Sequence, residues 1–172
     1  MRLKVITFLV ASILLSSVPV IFANYKCIPS ATGGTSANGK YKIELTLESF
    51  TFSEWNENEK KFDEKAKGVI ECPGHHVTTF IPDSGTHFVL HDKYAGLAIF
   101  TNDGKLVKQW NADDLLIEKE IEQRPGRWAC HPEGTWSEGK VEFSKDSKTI
   151  GVKVYSGRVV KISMEKGEIV KE

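Results

Sequence analysis

The sequence predicts a mainly β fold: antiparallel sheets in about three repeating units, with one short helix near residues 112–120. Three observations lead there. Apolar and polar residues alternate with period two in several short segments, which is the signature of half-buried strands. Turn-forming Asn, Asp, Gly and Ser punctuate those segments. The same order, a turn opening an alternating strand, recurs along the chain. A length of 172 residues allows one domain with a buried core, and an apolar fraction of 40% argues against wholesale disorder.

The first residues bear on the compartment. Arg2 and Lys4 form a positive n-region, residues 5–15 are almost continuously apolar, and Ser16, Ser17 and Pro19 break the segment before Ala23. This pattern predicts a signal peptide over residues 1–23, cleaved after Ala23, and an exported (periplasmic or extracellular) mature chain. The competing reading is an uncleaved anchor, because the apolar stretch is only slightly short of the roughly 20 residues that span a bilayer. Cys27 is preceded by Asn24-Tyr25-Lys26 and not by small residues, which argues against a lipoprotein.

Residues 24–35 mix Pro, Gly, Ser and Thr and read as an irregular lead-in to a domain over residues 36–172. Tyr41, Ile43, Leu45 and Leu47 alternate with polar residues as a strand, continued by Phe50 and Phe52. The charged run 56–67 reads as a solvated hairpin tip or loop, a short helix being the alternative, and residues 68–72 as a further strand. Residues 80–110 read as three strands joined by two turns. Phe88 and Leu90 lie on one face of the first, with His87, Val89 and His91 on the other. Asn102-Asp103-Gly104 is the strongest hairpin signal, because these residues tolerate positive φ. Asn111 has the features of an N-cap, with Asp113 and Asp114 in the first turn and Leu115, Leu116 and Ile117 as the apolar face of a helix over residues 112–120. The end of the chain repeats the strand pattern: Val141 and Phe143, then Ile150, Val152 and Val154, then Val160, Ile162 and Met164, and last Ile169 and Val170.

SANGKYKIEL at Ser36, IPDSGTHFVLHD at Ile81 and FSKDSKTIGVKV at Phe143 share one grammar. It resembles the blades of WD40-like propellers whose repeats carry an S-P-D-G-K signature. IFTNDGKLVKQWNADDLL and the final strands also look like a group of exported bacterial proteins with propeller-like strands, a likeness that implies an architecture and no activity. No segment keeps the full signature, and the Gly-His and Trp-Asp pairs of WD40 repeats are missing. The resemblance implies antiparallel propeller-like sheets in about three blade-like units. They do not form a closed propeller, which needs at least four blades. An open sheet edge would favour a homodimer by edge pairing. A small β-sandwich is the alternative.

Lys plus Arg and Asp plus Glu number 23 each; loss of Arg2 and Lys4 with the leader leaves 21 against 23, a net of −2. That balance gives no field for nucleic acid or an anionic membrane surface. Cys27, Cys72 and Cys130 form an odd set, and in an exported protein Cys72–Cys130 is the expected disulfide, with Cys27–Cys72 as the alternative. The same neighbourhood offers a rival metal site of Cys72, His75, His76, Cys130 and His131, though its spacing matches no zinc or copper template. His87 and His91 lie too far apart along a strand to share an ion and read as surface or edge residues. No catalytic motif is present, no catalytic residue is assigned and no cofactor is implied. Asp92 is the one acidic strand-end residue without an evident turn role. Trp110 and Trp128 read as core, and Trp136, in a Gly-rich loop, as the exposed tryptophan of a surface for a protein or glycan partner. The expected function is an exported, non-enzymatic interaction or structural module. The alternatives are a metal- or redox-linked module using Cys72 and Cys130, and an unrecognised hydrolase.

Overall fold

A computed structural model describes residues 30–46, 48–70, 76–126 and 134–170. Its strands fall into three sheets. Sheet 1 is antiparallel and runs β2 (Gly34–Thr35), β3 (Tyr41–Leu45), β4 (Ser49–Asn56), β5 (Lys61–Val69). Sheet 2 is β6 (His76–Phe80), β7 (His87–Asp92), β8 (Gly96–Thr101) and β9 (Leu106–Asn111), with β1 (Ser30–Thr32) added parallel to β6. Sheet 3 is β10 (Ser137–Phe143), β11 (Thr149–Val154) and β12 (Val159–Ser163), and Ile169 bridges to Ile162 at its edge. The mainly β, open, propeller-like architecture expected from the sequence is the one observed.

The recurring turn has a physical basis. It joins β2 to β3, β6 to β7 and β10 to β11, closed by Gly39 N–H to Ser36 O (2.9 Å), Gly85 N–H to Pro82 O (3.0 Å) and Ser147 N–H to Ser144 O (2.8 Å). In sheets 1 and 3 a serine hydroxyl takes the N–H that opens the next strand, at 3.0 Å from both Tyr41 N and Thr149 N. Asn38 and Asp146 accept the preceding N–H groups of Lys40 and Lys148. Thr101-Asn-Asp103-Gly104-Lys105 makes a further copy between β8 and β9, with Lys105 N–H on Thr101 Oγ1 at 3.2 Å. These are tight turns followed by one left-handed residue. The left-handed residue is Gly39 at φ 72°, Gly104 at φ 83° and, against type, Ser147 at φ 56°. A side chain is strained there. Ser147→Gly is therefore expected to raise stability by about 0.5–1 kcal/mol, a gain reduced by glycine's extra unfolded entropy. Urea denaturation of the two forms measures it.

Sheet 2 lies between the other two, and alternation along its strands feeds both interfaces. Phe88, Leu90, Ala98 and Phe100 meet Ile43, Phe50, Phe52 and Ala66 of sheet 1. Four phenylalanines interlock there, with ring centroids 5.0 Å (Phe50–Phe88), 5.1 Å (Phe50–Phe100), 5.2 Å (Phe88–Phe100) and 5.5 Å (Phe52–Phe88) apart. Val89, Leu97 and Ile99 point the other way, against Ile150, Val152, Val160, Ile162 and Met164 of sheet 3. The outward sides of the end sheets are polar: Lys42, Glu44 and Lys67 on sheet 1, Glu142, Lys153 and Lys161 on sheet 3.

Several expectations need correction. The charged run 56–67 is mostly strand: β5 begins at Lys61 and ends at Val69. It is an edge strand, and its lysines together with a bulge opposite Phe52–Ser53 blunt it against stray pairing. Residues 30–35, assigned to an irregular lead-in, form β1 and β2, so one extended segment pairs first with sheet 2 and then with sheet 1. Gly33 allows the crossing, because a Cβ there would lie 2.3 Å from Ile43 O. The single helix is two short ones, α1 (Ala112–Leu115) and α2 (Glu118–Glu122). Each restarts with its own acid: Asp114 accepts Asn111 N–H and Glu120 accepts Ile117 N–H, both at 3.0 Å. The break frees the Leu115 carbonyl, which accepts from Arg158 Nη2 at 2.9 Å.

Candidate binding cleft and the buried polar centre

Sheet 3 is fastened to sheet 2 by polar groups inside the apolar interface. Trp136 is the largest fully buried side chain among the described residues, with 0% exposure, and this overturns its reading as the exposed tryptophan. Its indole N–H donates to Asp92 O at 2.6 Å and its backbone N–H to Lys93 O at 3.0 Å. A loop residue next to a strand is drawn inward here because both of its donors find carbonyls at the β7 end. His91 is equally unlike a surface residue, at 2% exposure. It shares β7's sheet-3 side with Val89, bonds Ser137 Oγ through Nε2 at 2.6 Å, and lies 5.2 Å from the Trp136 ring with Phe80 edge-on at 6.1 Å. Burial pushes its pKa down to about 4, against a weaker opposing pull from Asp92. Asp92 has a turn role after all: its carboxylate accepts Tyr94 N–H (2.7 Å), Ala95 N–H (3.0 Å) and His76 N–H (3.1 Å).

A second fastening joins the helices to sheet 3. Glu120, 5% exposed, receives Arg158 Nε at 3.0 Å, Arg158 Nη2, and the Ser156 hydroxyl. Its backbone carbonyl accepts the Tyr155 hydroxyl at 2.6 Å. The Arg158 hydrogen bonds, helped by Ser156 and Ile117 N–H and opposed by burial, hold the Glu120 carboxyl down at about 2. Arg124, also buried, pairs with Asp113.

Of the sequence-assigned cysteine and metal set, Cys72, His75, Cys130 and His131 lie outside the described residues, as do Cys27 and Trp128. His76 is described; its ring is 5.6 Å from that of Tyr94. Among the described residues there is no group of three or more metal-ligating side chains. His87 is half-buried, and burial lowers its pKa against an opposing effect of Glu165. Trp110 is buried, as expected.

A cleft with no signal in the sequence lies between sheet 1 and the 101–105 turn of sheet 2. It holds about 290 Å³ and is walled by Tyr41, Phe52, Glu54, Lys65, Asn102 and Asp103. The β4–β5 hairpin extends past the phenylalanine cluster, and the bulge leaves Lys65 without a cross-strand partner while Ala66 pairs with Phe52. The re-aimed Lys65 ammonium meets Glu54 at 3.3 Å. From sheet 2 the 101–105 turn supplies Asn102 and Asp103. Asp103 pairs with Lys105 at 2.7 Å, and bonds from Lys105 and Thr101 hold its carboxyl at about 2. Tyr41 and Phe52 stack at 5.9 Å and 16° to form the apolar wall. Nearby, Asn38 N–H and Nδ2 reach Asp83 Oδ1 (2.7 Å) and Asp83 O (2.9 Å), tying the opening turns of sheets 1 and 2 together. Asn102 and Asp103 were legible as a turn, but the bulge that brings Lys65 to them has no sequence signature.

Three stacked antiparallel sheets, each begun by the same turn, define the class in fold terms: β-propeller blades in an open set. No known protein family matches the chain, and no curated protein does. Solved WD40 and β-propeller domains do match. BamB from Moraxella catarrhalis is 12% identical with a TM-score of 0.50, over 84% of this chain and 36% of that one. The C-terminal WD40 domain of Sif2 is 11% identical (TM-score 0.48), over 82% of this chain and 36% of that one. The periplasmic gluconolactonase of Pseudomonas aeruginosa is 16% identical (TM-score 0.44), over 81% of this chain and 37% of that one. The chain thus spans little more than a third of these structures, and the likeness is one of fold.

Proposed function

We propose that this protein is an exported, non-enzymatic interaction module that takes its partner in the cleft between sheet 1 and the 101–105 turn. The observation that carries this reading is where the polar side chains are spent. His91, Ser137, Asp92, Glu120 and Arg158 join one element to another inside the fold, whereas Glu54, Lys65 and Asp103, though ion-paired, remain open to solvent and with Asn102 stand around an open concavity. The n-region and apolar segment of residues 1–23 support export. Cross-linking from a photoreactive residue at Asn102, in an exporting host, tests the reading. A discrete adduct that disappears on Glu54→Lys/Lys65→Glu, with unfolding temperature unchanged, is the expected result. Labelling indifferent to that swap speaks against it.

We propose further that Cys72 and Cys130 are joined. The described residues next to their segments converge on one place: His76 N–H binds the Asp92 carboxylate, and Trp136 binds Asp92 O and Lys93 O. Such a bond closes a long loop and contributes about 2–4 kcal/mol. The expected intact mass of unreduced protein starts at Asn24 and is two protons lighter than the thiol form. Three free thiols with bound metal would instead favour the site of Cys72, His75, His76, Cys130 and His131.

A further inference from the structure

We infer that the cleft binds a neutral carbohydrate, one pyranose ring at a time, an inference that rests on the interaction reading above. Size is the first argument. At roughly 30 Å³ per water, a cleft of about 290 Å³ holds about ten waters, enough to admit one hexose together with a few of its hydrating waters. It lies at the small end of ligand pockets.

Charge is the second. Both carboxylates at the cleft already have a cation: Glu54 has Lys65 at 3.3 Å and Asp103 has Lys105 at 2.7 Å. An anion would face Glu54 and Asp103, a cation would face the two lysines, and each would have to break an existing pair to gain one. A neutral ligand rich in hydroxyls has no such conflict. Each of its O–H groups donates to a carboxylate or to the Asn102 carbonyl, while its oxygens accept from the Lys65 ammonium and the Asn102 amide. Charged partners make such hydrogen bonds stronger than neutral ones.

The apolar wall is the third. Tyr41 is half-buried, its ring packed by Phe52 and by Gly85, and the part that stays exposed gives a sugar's C–H groups an apolar contact beside the polar groups. Its position is fixed, because Gly85 leaves room for the ring: a Cβ there would fall 2.1 Å from Tyr41 Cζ. The site is thus largely formed before any ligand arrives, which lowers the cost of binding.

The test is a glycan array carrying neutral and acidic saccharides, probed with wild type, Glu54→Gln/Lys65→Met and Asn102→Ala, alongside the cross-linking described above. Unfolding temperatures confirm that each variant is folded. The expected result is retention of neutral glycans by wild type, reduced at least tenfold in both variants. Binding confined to sulfated or sialylated glycans, or neutral binding that both variants keep, overturns the inference. If no glycan is retained but a charge-sensitive protein adduct forms, the carbohydrate inference fails and the interaction reading stands. If neither appears, both fall.

Discussion

Lowering the pH from 7 to 4 is expected to cost this protein about 3 kcal/mol of stability through His91 alone. The sign follows from the direction of the shift. In the unfolded chain the imidazole takes up a proton near its model value of 6.5; in the fold, burial delays protonation to about 4. Between those values the unfolded state binds more protons, so stability falls as pH falls, at up to about 1.4 kcal/mol per unit. The loss is complete below the folded value. Glu120 acts in a separate window: its folded pKa of about 2 lies below the model value of 4.5, so its contribution persists down to about pH 4.5 and disappears below. Denaturant midpoints at pH 7, 5.5 and 4.5 follow the His91 window, and a further one at pH 3 reads Glu120. His91→Gln is expected to be less stable than wild type at pH 7 yet nearly level across the window. A residual slope would report His87, whose pKa burial also lowers. Parallel curves for wild type and His91→Gln would show that the acid sensitivity arises elsewhere.

Trp136→Ala is expected to destabilise the protein by about 3–5 kcal/mol, the usual cost of emptying a large aromatic site in a core. Such a loss is a large part of the total stability of an ordinary domain. The indole fills the sheet 2–sheet 3 interface and is the donor to Asp92 O, so truncation leaves both a void and an unpaired buried carbonyl. Trp136→Phe separates these effects. It keeps most of the apolar volume and loses the hydrogen bond, and it should fall between wild type and alanine. Urea titration at pH 7 reads all three. A change under 1 kcal/mol for Trp136→Ala would contradict the buried position and return the residue to the surface.

The sheets were legible because their information is local. Alternation in Phe88-Val89-Leu90 states which side chains face which neighbour, and Asn102-Asp103-Gly104 states a turn. What could not be read depends on partners distant in sequence. Nothing around His91 announces that Ser137, 46 residues later, will receive its ring. Trp136 sits among Gly and Glu, which looks solvated until Asp92 and Lys93 supply acceptors for its two donors. The charged run misled for a different reason. An edge strand with one polar side and a bulge lacks the two-residue period, so residues 61–67 of this strand resembled a loop. The cleft depends on that same bulge and was hidden with it. The helix failed by one step: the N-cap was placed correctly, but Glu120 is bound by Arg158, 38 residues downstream, which favours a second start.

The segment carrying β1 and β2 has a consequence for how the chain assembles. Sheet 1 is complete once Val69 has been made, and β2 finds β3 at once. β1 must wait for His76, Val77 and Thr78, its register partners. Ser30–Thr32 therefore has no sheet partner in the first 75 residues, and its pairing with β6 makes one short segment a strand of both sheet 1 and sheet 2. The phenylalanines of sheet 1 likewise find their cover, Phe88 and Phe100, only in residues that follow.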